Sequence, residues 1–441
     1  MPIHALNVQN FKGISDATTL AIRPLTIFIG PNSSGKSSGI HALAAMAQTI
    51  KLGALGRPLV LDDEFAQVHL GRFIEVVHSR SYSDPITLGI DIGPRDFVSQ
   101  ALQGTEKERG SVLVKGPARA DYTFRCSRRT QEVRLDSARF VAGQETYSMK
   151  AGAERYDLTN DRLGVKQALD REPGFWVSSR LPVTARVRGE PYAFTPFSQL
   201  QRWVLEELRK TLYLGPFRQP PQRRYPTRGS APSEVGPQGE ATTTLLANEI
   251  MRTRKRTHVR QISGWLGTLG LGKSLDVARV GRSDLFDVNV TPKEETEKYA
   301  LPDLGYGISQ VLPVLTQCSF APPGATLLFE QPELHLHQLA TRPLMRVFID
   351  TIKEKGAHVV AETHAPELFA QLLTELRNKT IQLSQVAVYR VRRTGGKSVF
   401  TLIDIDPDTF DVYDLWEEGL SKDFYGAHRA NDVGSPRGAV K

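Results

Sequence analysis

The sequence predicts an α/β fold built on a parallel sheet, and three observations indicate it. A short apolar run, Leu25–Ile29, leads through a glycine- and serine-containing loop into a helical pattern at 38–50. A second apolar run at 325–329 ends in the carboxylate of Glu330. Beyond it, strand-like runs alternate with helical stretches, as in sheets whose parallel strands are joined by helices. The two ends of the chain therefore form one core.

The loop that follows the first apolar run has the pattern GxxxxGK[ST], which binds nucleotide phosphates. Its glycines let backbone amides face the phosphates, and the helix N-terminus adds partial positive charge. We expect Lys36 to pair with the β- and γ-phosphates and Ser37 to bind Mg²⁺. The predicted nucleotide-binding residues of this segment are Gly30, Pro31, Asn32, Ser33, Ser34, Gly35, Lys36, Ser37 and Ser38.

A second group of site residues is predicted near the other end of the chain. Glu330 ends a buried strand, the arrangement that holds a Mg²⁺-bound water, and we expect it to bind the metal with Ser37. One strand later, His364 is placed where it could contact the γ-phosphate. The middle of the chain must then be inserted within, or beside, one nucleotide-binding fold.

The remaining elements predict a parallel α/β core, an N-terminal antiparallel sheet and a large mixed α+β insertion. Strands are expected at 3–8, 20–22, 73–77, 86–92, 111–114, 122–126, 132–135, 325–329, 358–361 and 386–391. Helices are expected at 199–211, 241–266, 339–355 and 366–377, with an irregular Pro-, Gly- and Arg-rich stretch at 213–239. This organisation predicts a first half of the ATPase domain at 1–135, a basic insertion at 136–300, a second half at 301–430 and a disordered tail at 431–441.

Composition excludes some classes of protein. With 441 residues, 40% hydrophobic and 24% charged, the chain has the balance of a globular protein of two or three domains. No apolar stretch approaches the roughly 20 residues of a membrane-spanning helix, and no basic-then-apolar leader opens the sequence. We expect a cytoplasmic protein with no membrane partner. Cys126 and Cys318 lie far apart and imply neither a disulfide framework nor a zinc site.

The net charge of +8 is concentrated in one segment. Between Gln201 and Arg260 there are twelve Lys and Arg against five Asp and Glu, an excess of seven. Such a segment suits a DNA backbone or an acidic protein partner, and a solvated helix face is the alternative.

In its motifs and their order, the chain resembles the ABC-type ATPases, in the branch that contains the SMC, RecF and overcoming-lysogenization-defect families. The resemblance is carried by the "NFKG" turn at 10–13, the phosphate loop, a signature-like segment at 304–310, a Walker B and D-loop segment at 330–337 and a switch-histidine stretch at 362–367. Weaker similarity at 213–218 and 235–240 is to bacterial ATPases that accompany anti-phage effectors. The resemblance implies ATP and Mg²⁺ as ligands, with Phe11 and Lys12 as candidates for contacts to the base.

The signature-like segment implies self-association. In this branch of ATPases it meets the γ-phosphate of ATP held by a second subunit, so Gly305, Gly307 and Ser309 are expected to act across an ATP-dependent dimer or larger assembly. The register departs from the family pattern, because Gly305 stands where the family usually has serine and Ser309 follows four residues later.

A second departure concerns catalysis. Gln331 stands where the family has the carboxylate that orients the attacking water. A neutral amide can position water but accepts a proton poorly, so either Glu333 supplies the base or hydrolysis is slow. The predicted catalytic residues are Glu330, Gln331, Glu333 and His364.

Three functions are compatible with these observations. The first is an ATP-dependent sensor and scaffold controlling a separate effector, as in bacterial anti-phage systems. The expected effector is a nuclease on another chain. The carboxylate pair Asp404 and Asp406 invites a nuclease interpretation of this chain, which we reject because the overcoming-lysogenization-defect nucleases carry a whole further TOPRIM domain and fewer than eighty residues follow His364. The second is a RecF-like DNA-binding ATPase of repair or loading, and the third is the ATPase subunit of a transporter.

Overall fold

The fold was analysed in a computed structural model of the chain. It describes residues 3–53, 57–100, 111–152, 154–160, 162, 165–170, 184–187, 190–193, 195–226, 232–252 and 256–412. The predicted tail at 431–441 lies outside these residues, as does the end of the predicted domain at 301–430.

The elements alternate between strands and helices in the second half of the chain and are mainly strands in the first. The first half contains β1 Ala5–Gln9, β2 Thr18–Ala21, β3 Leu25–Ile29, α1 Ser37–Lys51, α2 Phe73–Val76, β4 Ile86–Asp91, β5 Arg95–Gln100, β6 Ser111–Gly116, β7 Ala118–Cys126, β8 Val133–Ala142, β9 Glu145–Ala151, β10 Arg155–Asn160 and β11 Val165–Asp170. The second half contains β12 Thr184–Val187, β13 Glu190–Ala193, α3 Thr195–Arg209, β14 Thr211–Leu214, β15 Tyr225–Pro226, α4 Thr242–Arg252, α5 Thr257–Thr268, β16 Ser274–Arg279, β17 Leu285–Thr291, β18 Tyr299–Ala300, α6 Tyr306–Phe320, β19 Thr326–Glu330, α7 Gln338–Lys355, β20 His358–Thr363, α8 Pro366–Arg377, β21 Val386–Thr394 and β22 Lys397–Leu402.

A six-stranded sheet in the order β14-β19-β20-β3-β21-β22 forms the core that positions the site. The first five strands are parallel to their neighbours, and β22 returns antiparallel to β21 as a hairpin. The carboxyl ends of β3, β19 and β20 therefore meet at one edge, where an open parallel sheet binds its ligand. One strand, β20, separates the phosphate-loop strand β3 from β19.

Alternate residues of β3 enter two different cores. Leu25, Ile27 and Ile29 pack with α6, α7 and α8 on one face of the sheet. Phe28 faces the other side, in a core shared with α1, α3 and the antiparallel sheet. Because both faces of this strand are covered, all five of its residues are buried and four of them are apolar, with no polar alternation.

The antiparallel sheet has eight strands, in the order β11-β10-β9-β8-β7-β4-β1-β2. A smaller sheet combines β15, β16, β17 and β18, while β5-β6 and β12-β13 form two hairpins. The predicted domain boundary after residue 135 falls inside β8, and the sheet continues to Asp170. The division into domains stays a prediction.

Two of the predicted elements were wrong. Residues 73–77 were expected to form a strand, but Phe73–Val76 is a short helix whose Glu75 side chain accepts from the backbone N–H of Arg72 at 2.7 Å. The single helix expected at 241–266 is two helices, and Arg256, immediately before the second, has a left-handed conformation with φ of 50°. Both errors arose because local apolar spacing does not reveal a capping interaction or a helix break.

Among the described residues, none of the helices combines the length and the apolar character that crossing a bilayer requires.

Candidate nucleotide-binding site

The predicted phosphate loop joins β3 to α1 at the carboxyl edge of the central sheet. Its Lys36 is 4% exposed, and the ammonium donates to the carbonyl oxygens of Gly30 at 3.0 Å and Pro31 at 2.9 Å. Burial lowers the pKa of Lys36, while the carboxylates of Glu362 and Glu333 act in the opposite direction. The loop thus holds a buried cation at the amino end of a 15-residue helix, a suitable place for phosphates.

Gly35 is required in this loop for two reasons. Its φ of +92° lies in the region that side chains disfavour, and a Cβ there would lie 2.0 Å from Ser398 Oγ. Ser398 belongs to β22, and its hydroxyl donates to the carbonyl oxygen of Ser34 at 2.8 Å. The C-terminal hairpin therefore packs directly beneath the phosphate loop.

A cavity of about 400 Å³ opens over the loop. Its lining includes the predicted Asn32, Ser33, Gly35, Lys36, Ser37, Ser38 and Gln331, together with Lys12, Gly13, His41, Glu75, Arg80, Glu362 and Arg393. The volume is in the range of small-molecule sites. Of the two candidates for base contacts, Lys12 lines this cavity, whereas Phe11 is 0% exposed and has no free ring face.

Glu330 has a buried carboxylate that is already engaged by two side chains. Its Oε1 atom lies 2.7 Å from His41 Nε2 and accepts a hydrogen bond from the Tyr213 hydroxyl at 2.7 Å. Burial favours protonation, but the hydrogen bond from His41, followed by that from Tyr213, holds the pKa of Glu330 below its ordinary value. The metal-binding role of Glu330 stays a prediction.

A polar chain connects Glu330 to the nucleotide cavity. Lys12 Nζ lies 2.6 Å from His41 Nδ1, and because an ammonium can only donate, this nitrogen accepts. The neutral imidazole then carries its proton on Nε2, toward Glu330. The chain joins the "NFKG" turn, helix α1 and strand β19.

Gln331 follows Glu330 at the end of the strand, and its backbone is fixed on both sides. Its N–H donates to the carbonyl oxygen of Glu362 at 3.0 Å, and its own carbonyl oxygen accepts from Arg218 at 3.1 Å. Arg218 also donates to the carbonyl oxygen of Glu330 at 3.1 Å, and burial lowers the pKa of this guanidinium to about 10. The 213–218 segment, noted only for its resemblance, thus supports this strand end through Tyr213 and Arg218.

Glu333 and His364 interact with each other and are not among the residues that line the cavity, although the carboxylate of Glu333 is close enough to act on Lys36 and Glu362. Glu333 Oε1 accepts from Thr363 Oγ1 at 2.5 Å, and burial raises the pKa of this carboxyl group. His364 is exposed. The catalytic roles of both residues stay predictions.

Glu362 was not selected from the sequence as a site residue, although it lies between the two predicted halves of the site. It is the penultimate residue of β20, in register with Glu330 on β19 and, on its other side, with Phe28 on β3. Its carboxylate interacts with the Ser37 hydroxyl, and burial, followed by the charge of Glu330, raises its pKa to about 7. The sequence signal that could have identified Glu362 is its position directly after a buried apolar run, as for Glu330.

The signature-like residues lie outside this cavity. Gly305 immediately precedes α6, and Gly307 packs so that a Cβ would lie 3.1 Å from the carbonyl oxygen of His335. Ser309 Oγ donates to the carbonyl oxygen of Tyr306 at 2.8 Å. Their proposed contact with ATP in a second subunit stays a prediction.

Part of the basic segment is paired with carboxylates where the structure describes it. Arg218 is buried against backbone carbonyls, and the other described pairs are Arg223 with Asp303, Arg224 with Asp287 and Arg256 with Asp276. Arg228, Arg254 and Lys255 lie outside the described residues. These pairings reduce the charge offered to a nucleic-acid backbone, and the DNA-binding alternative is not favoured.

Two family models match the ends of the chain. Residues 1–106 match the model described as "AAA ATPase domain", and residues 272–370 match the one described as "AAA domain, putative AbiEii toxin, Type IV TA system". No curated protein matches the chain.

Several solved structures of SMC heads are similar in outline. An SmcHead bound to the C-winged helix domain of ScpA has 11% identity and a TM-score of 0.47, covering 92% of this chain and 99% of that one. The SMC head domain from Thermotoga maritima has 10% identity and a TM-score of 0.37, covering 92% and 100%. The Smc head with an extended coiled coil bound to the C-terminal domain of ScpA, from Pyrococcus furiosus, has 9% identity and a TM-score of 0.43, covering 91% and 96%.

The phosphate loop, the strand order of the central sheet and the two family matches together indicate a P-loop ATPase fold, with residues 1–106 and 272–370 similar to AAA ATPase domains.

Proposed function

We propose that this ATPase binds ATP and Mg²⁺, hydrolyses ATP slowly and forms ATP-dependent dimers or larger assemblies. In these assemblies it acts as a sensor and scaffold that controls a separate effector, a nuclease, in bacterial anti-phage defence. The observation that carries the proposal is the amide of Gln331 at the wall of the nucleotide cavity, at the end of β19.

Slow hydrolysis follows from what surrounds that amide. Gln331 cannot accept a proton as a carboxylate does, and its backbone is fixed by Glu362 and Arg218. Glu333, the candidate substitute, is bonded to Thr363 and is not among the residues lining the cavity. Losing a positioned base costs about 10²–10⁴ in rate, enough to make an ATP-bound state long-lived.

The position of the signature-like segment supports assembly. Gly305, Gly307 and Ser309 do not line the cavity of their own chain, so a second chain is needed to bring them to ATP. Within this segment the large apolar side chain of Tyr306 is 64% exposed, and Leu339, in the first turn of α7, is 78% exposed. A symmetric pair of chains would complete two ATP sites at once.

The description of one matching family model supports a separate effector. The description of the second family model names a toxin–antitoxin system, in keeping with an ATPase that acts alongside another protein. Such a partner would sense the nucleotide state through the assembly. A long-lived ATP-bound dimer would hold the effector until a trigger releases it.

Turnover and assembly of the purified chain test the proposal. We expect ATP turnover well below about one per second, and a mass that increases on adding ATP in light scattering after size exclusion. Lys36→Ala should abolish both nucleotide binding and assembly. Lys51→Ala is the matched control, because Lys51 ends the same helix and pairs with Glu234 at 2.8 Å, away from the cavity.

Unchanged assembly and partner capture by Lys36→Ala would exclude the scaffold function. Turnover above about one per second by the isolated chain would instead indicate a cycling enzyme with a working base.

A further inference from the structure

The carboxylate nearest to the phosphate loop is on the strand between the two predicted halves of the site. In the order β19-β20-β3, the end of β20 lies next to the end of β3, and the end of β19 lies one strand further away. Neighbouring parallel strands are about 4.8 Å apart. Glu362 on β20 is therefore one strand closer than Glu330 to β3 and the phosphate loop.

The two carboxylates also differ in their existing partners. Glu330 Oε1 lies 2.7 Å from both His41 and Tyr213, and Glu330 is not among the residues lining the cavity. Glu362 lines the cavity, is 3% exposed and interacts with the Ser37 hydroxyl, but its Oε2 atom has no hydrogen-bond partner. A buried acceptor without a partner is costly, so a ligand there would be stabilised.

Lys36 does not satisfy this oxygen. Its ammonium is bonded to the carbonyl oxygens of Gly30 and Pro31. A divalent cation beside Ser37 would meet one buried carboxylate oxygen and one hydroxyl, with the nucleotide's phosphates and waters as further ligands. Mg²⁺ is commonly bound in this way, by one or two carboxylates plus substrate phosphates.

We propose that Glu362, rather than Glu330, is the carboxylate that binds the nucleotide's Mg²⁺ together with Ser37. Glu330 instead positions the strand end through His41 and Tyr213. The inference rests on the proposed ATP-binding function. In this assignment the metal-binding carboxylate belongs to β20, and the neutral amide of Gln331 directly follows β19.

Nucleotide binding with and without the metal tests this assignment directly. The full chain is titrated calorimetrically with a non-hydrolysable ATP analogue in Mg²⁺ and again in EDTA, which gives the factor by which Mg²⁺ tightens binding. We expect Glu362→Gln to reduce that factor by about tenfold or more, toward one. Glu330→Gln, the matched variant, should reduce it by clearly less than Glu362→Gln does, because Glu330 then acts on the strand end and not as a direct ligand.

A second variant identifies the ligand by its chemistry. Glu362→Cys places a thiolate at the same position, and thiolates prefer soft metals. We expect Cd²⁺, but not Mg²⁺, to tighten nucleotide binding in this variant. This comparison also remains informative if Glu362→Gln proves unstable, since circular dichroism reports whether each variant is folded.

The assignment is overturned if Glu362→Gln keeps the Mg²⁺ effect, or if Glu330→Gln loses it to the same extent. A native chain that binds no nucleotide under either condition would refute the proposed ATP-binding function instead. The titration of the native chain alone therefore distinguishes the two outcomes, before any variant is compared.

Discussion

Ser398 donates its hydroxyl hydrogen to the carbonyl oxygen of Ser34 across 2.8 Å, although the two residues are 364 positions apart. The backbone N–H of Ser398 also donates to the carbonyl oxygen of Gly13 at 2.7 Å. One serine of the last hairpin therefore links the "NFKG" turn to the phosphate loop. The shape of the nucleotide site depends on β22 as well as on its own loop.

Ser398→Val is expected to weaken ATP binding by about tenfold or more while the chain remains folded. The substitution removes the bond to Ser34 and adds methyl groups where Gly13 and Gly35 leave room only for a hydroxyl. Overpacking of this kind costs about 1–3 kcal/mol, and 1.4 kcal/mol corresponds to a factor of ten. Calorimetric titration with ATP measures the effect. The adjacent Val399, which is 46% exposed, supplies the control Val399→Thr; equal affinities for both variants would contradict the prediction.

Tyr213→Phe is expected to lower the free energy of unfolding by about 1.5–3 kcal/mol, because its hydroxyl donates to the buried carboxylate of Glu330. Tyr389→Phe is the matched comparison. Both tyrosines are 5% exposed, but the Tyr389 hydroxyl contacts only the backbone of Ala21. Removing the Tyr389 hydroxyl should lower the free energy of unfolding by about 0.5–1.5 kcal/mol. Urea unfolding measures both, and a smaller effect for Tyr213→Phe would argue against a charged Glu330.

Gln331→Glu is expected to increase ATP turnover by about 10²-fold, because it restores a proton acceptor at the cavity wall. Steady-state phosphate release measures the rate, and Lys36→Ala provides the blank. Gln331→Asn controls for altered packing and should not accelerate hydrolysis. If Gln331→Glu is no faster than the native chain, the amide is not what limits turnover.

Stability is expected to fall as the pH is lowered from 6.5 to about 4. Burial, followed by the charge of His4, lowers the pKa of His358 to about 4 in the folded chain, against 6.5 ordinarily. Between these values the unfolded chain binds a proton that the folded chain does not, so stability is complete above pH 6.5 and decreases below it. The loss approaches about 3 kcal/mol.

His358→Gln separates this contribution from that of acidic groups. The amide can still donate to the carbonyl oxygen of Ile3, which His358 Nδ1 contacts at 3.1 Å, but it does not titrate. Urea unfolding at pH 7 and pH 4.5 gives the change in stability for each chain. An equal change in both chains would mean that His358 does not contribute.

The central sheet and the phosphate loop could be predicted from sequence because their signals are local. Leu25–Ile29 has the bounds expected from its apolar run, and Pro366–Arg377 begins and ends where its spacing indicated. The contacts that complete the site could not be predicted in this way. Tyr213 reaches Glu330 from the neighbouring strand β14, and Arg218 reaches the end of β19 from the Pro-rich loop that follows; both partners are more than a hundred residues away in the sequence.

The role of Glu362 shows a different limit. Glu362 directly follows the apolar run at 358–361, but the resemblance implies a role only for its neighbour His364. Only the strand order shows that β20 lies against β3, which brings Glu362 to Ser37. Strand order depends on pairing between distant segments, and hydrophobic periodicity carries no information about it.

The position of β3 between β20 and β21 has a consequence for biosynthesis. The strands that pair with β3 begin only at residues 358 and 386, long after β3 itself has left the ribosome. Until β20 has emerged, β3 has no partner strand in its sheet, and the hairpin beneath the phosphate loop follows later still. The nascent chain must therefore keep an apolar strand unpaired through most of translation, a period in which chaperones have access to it.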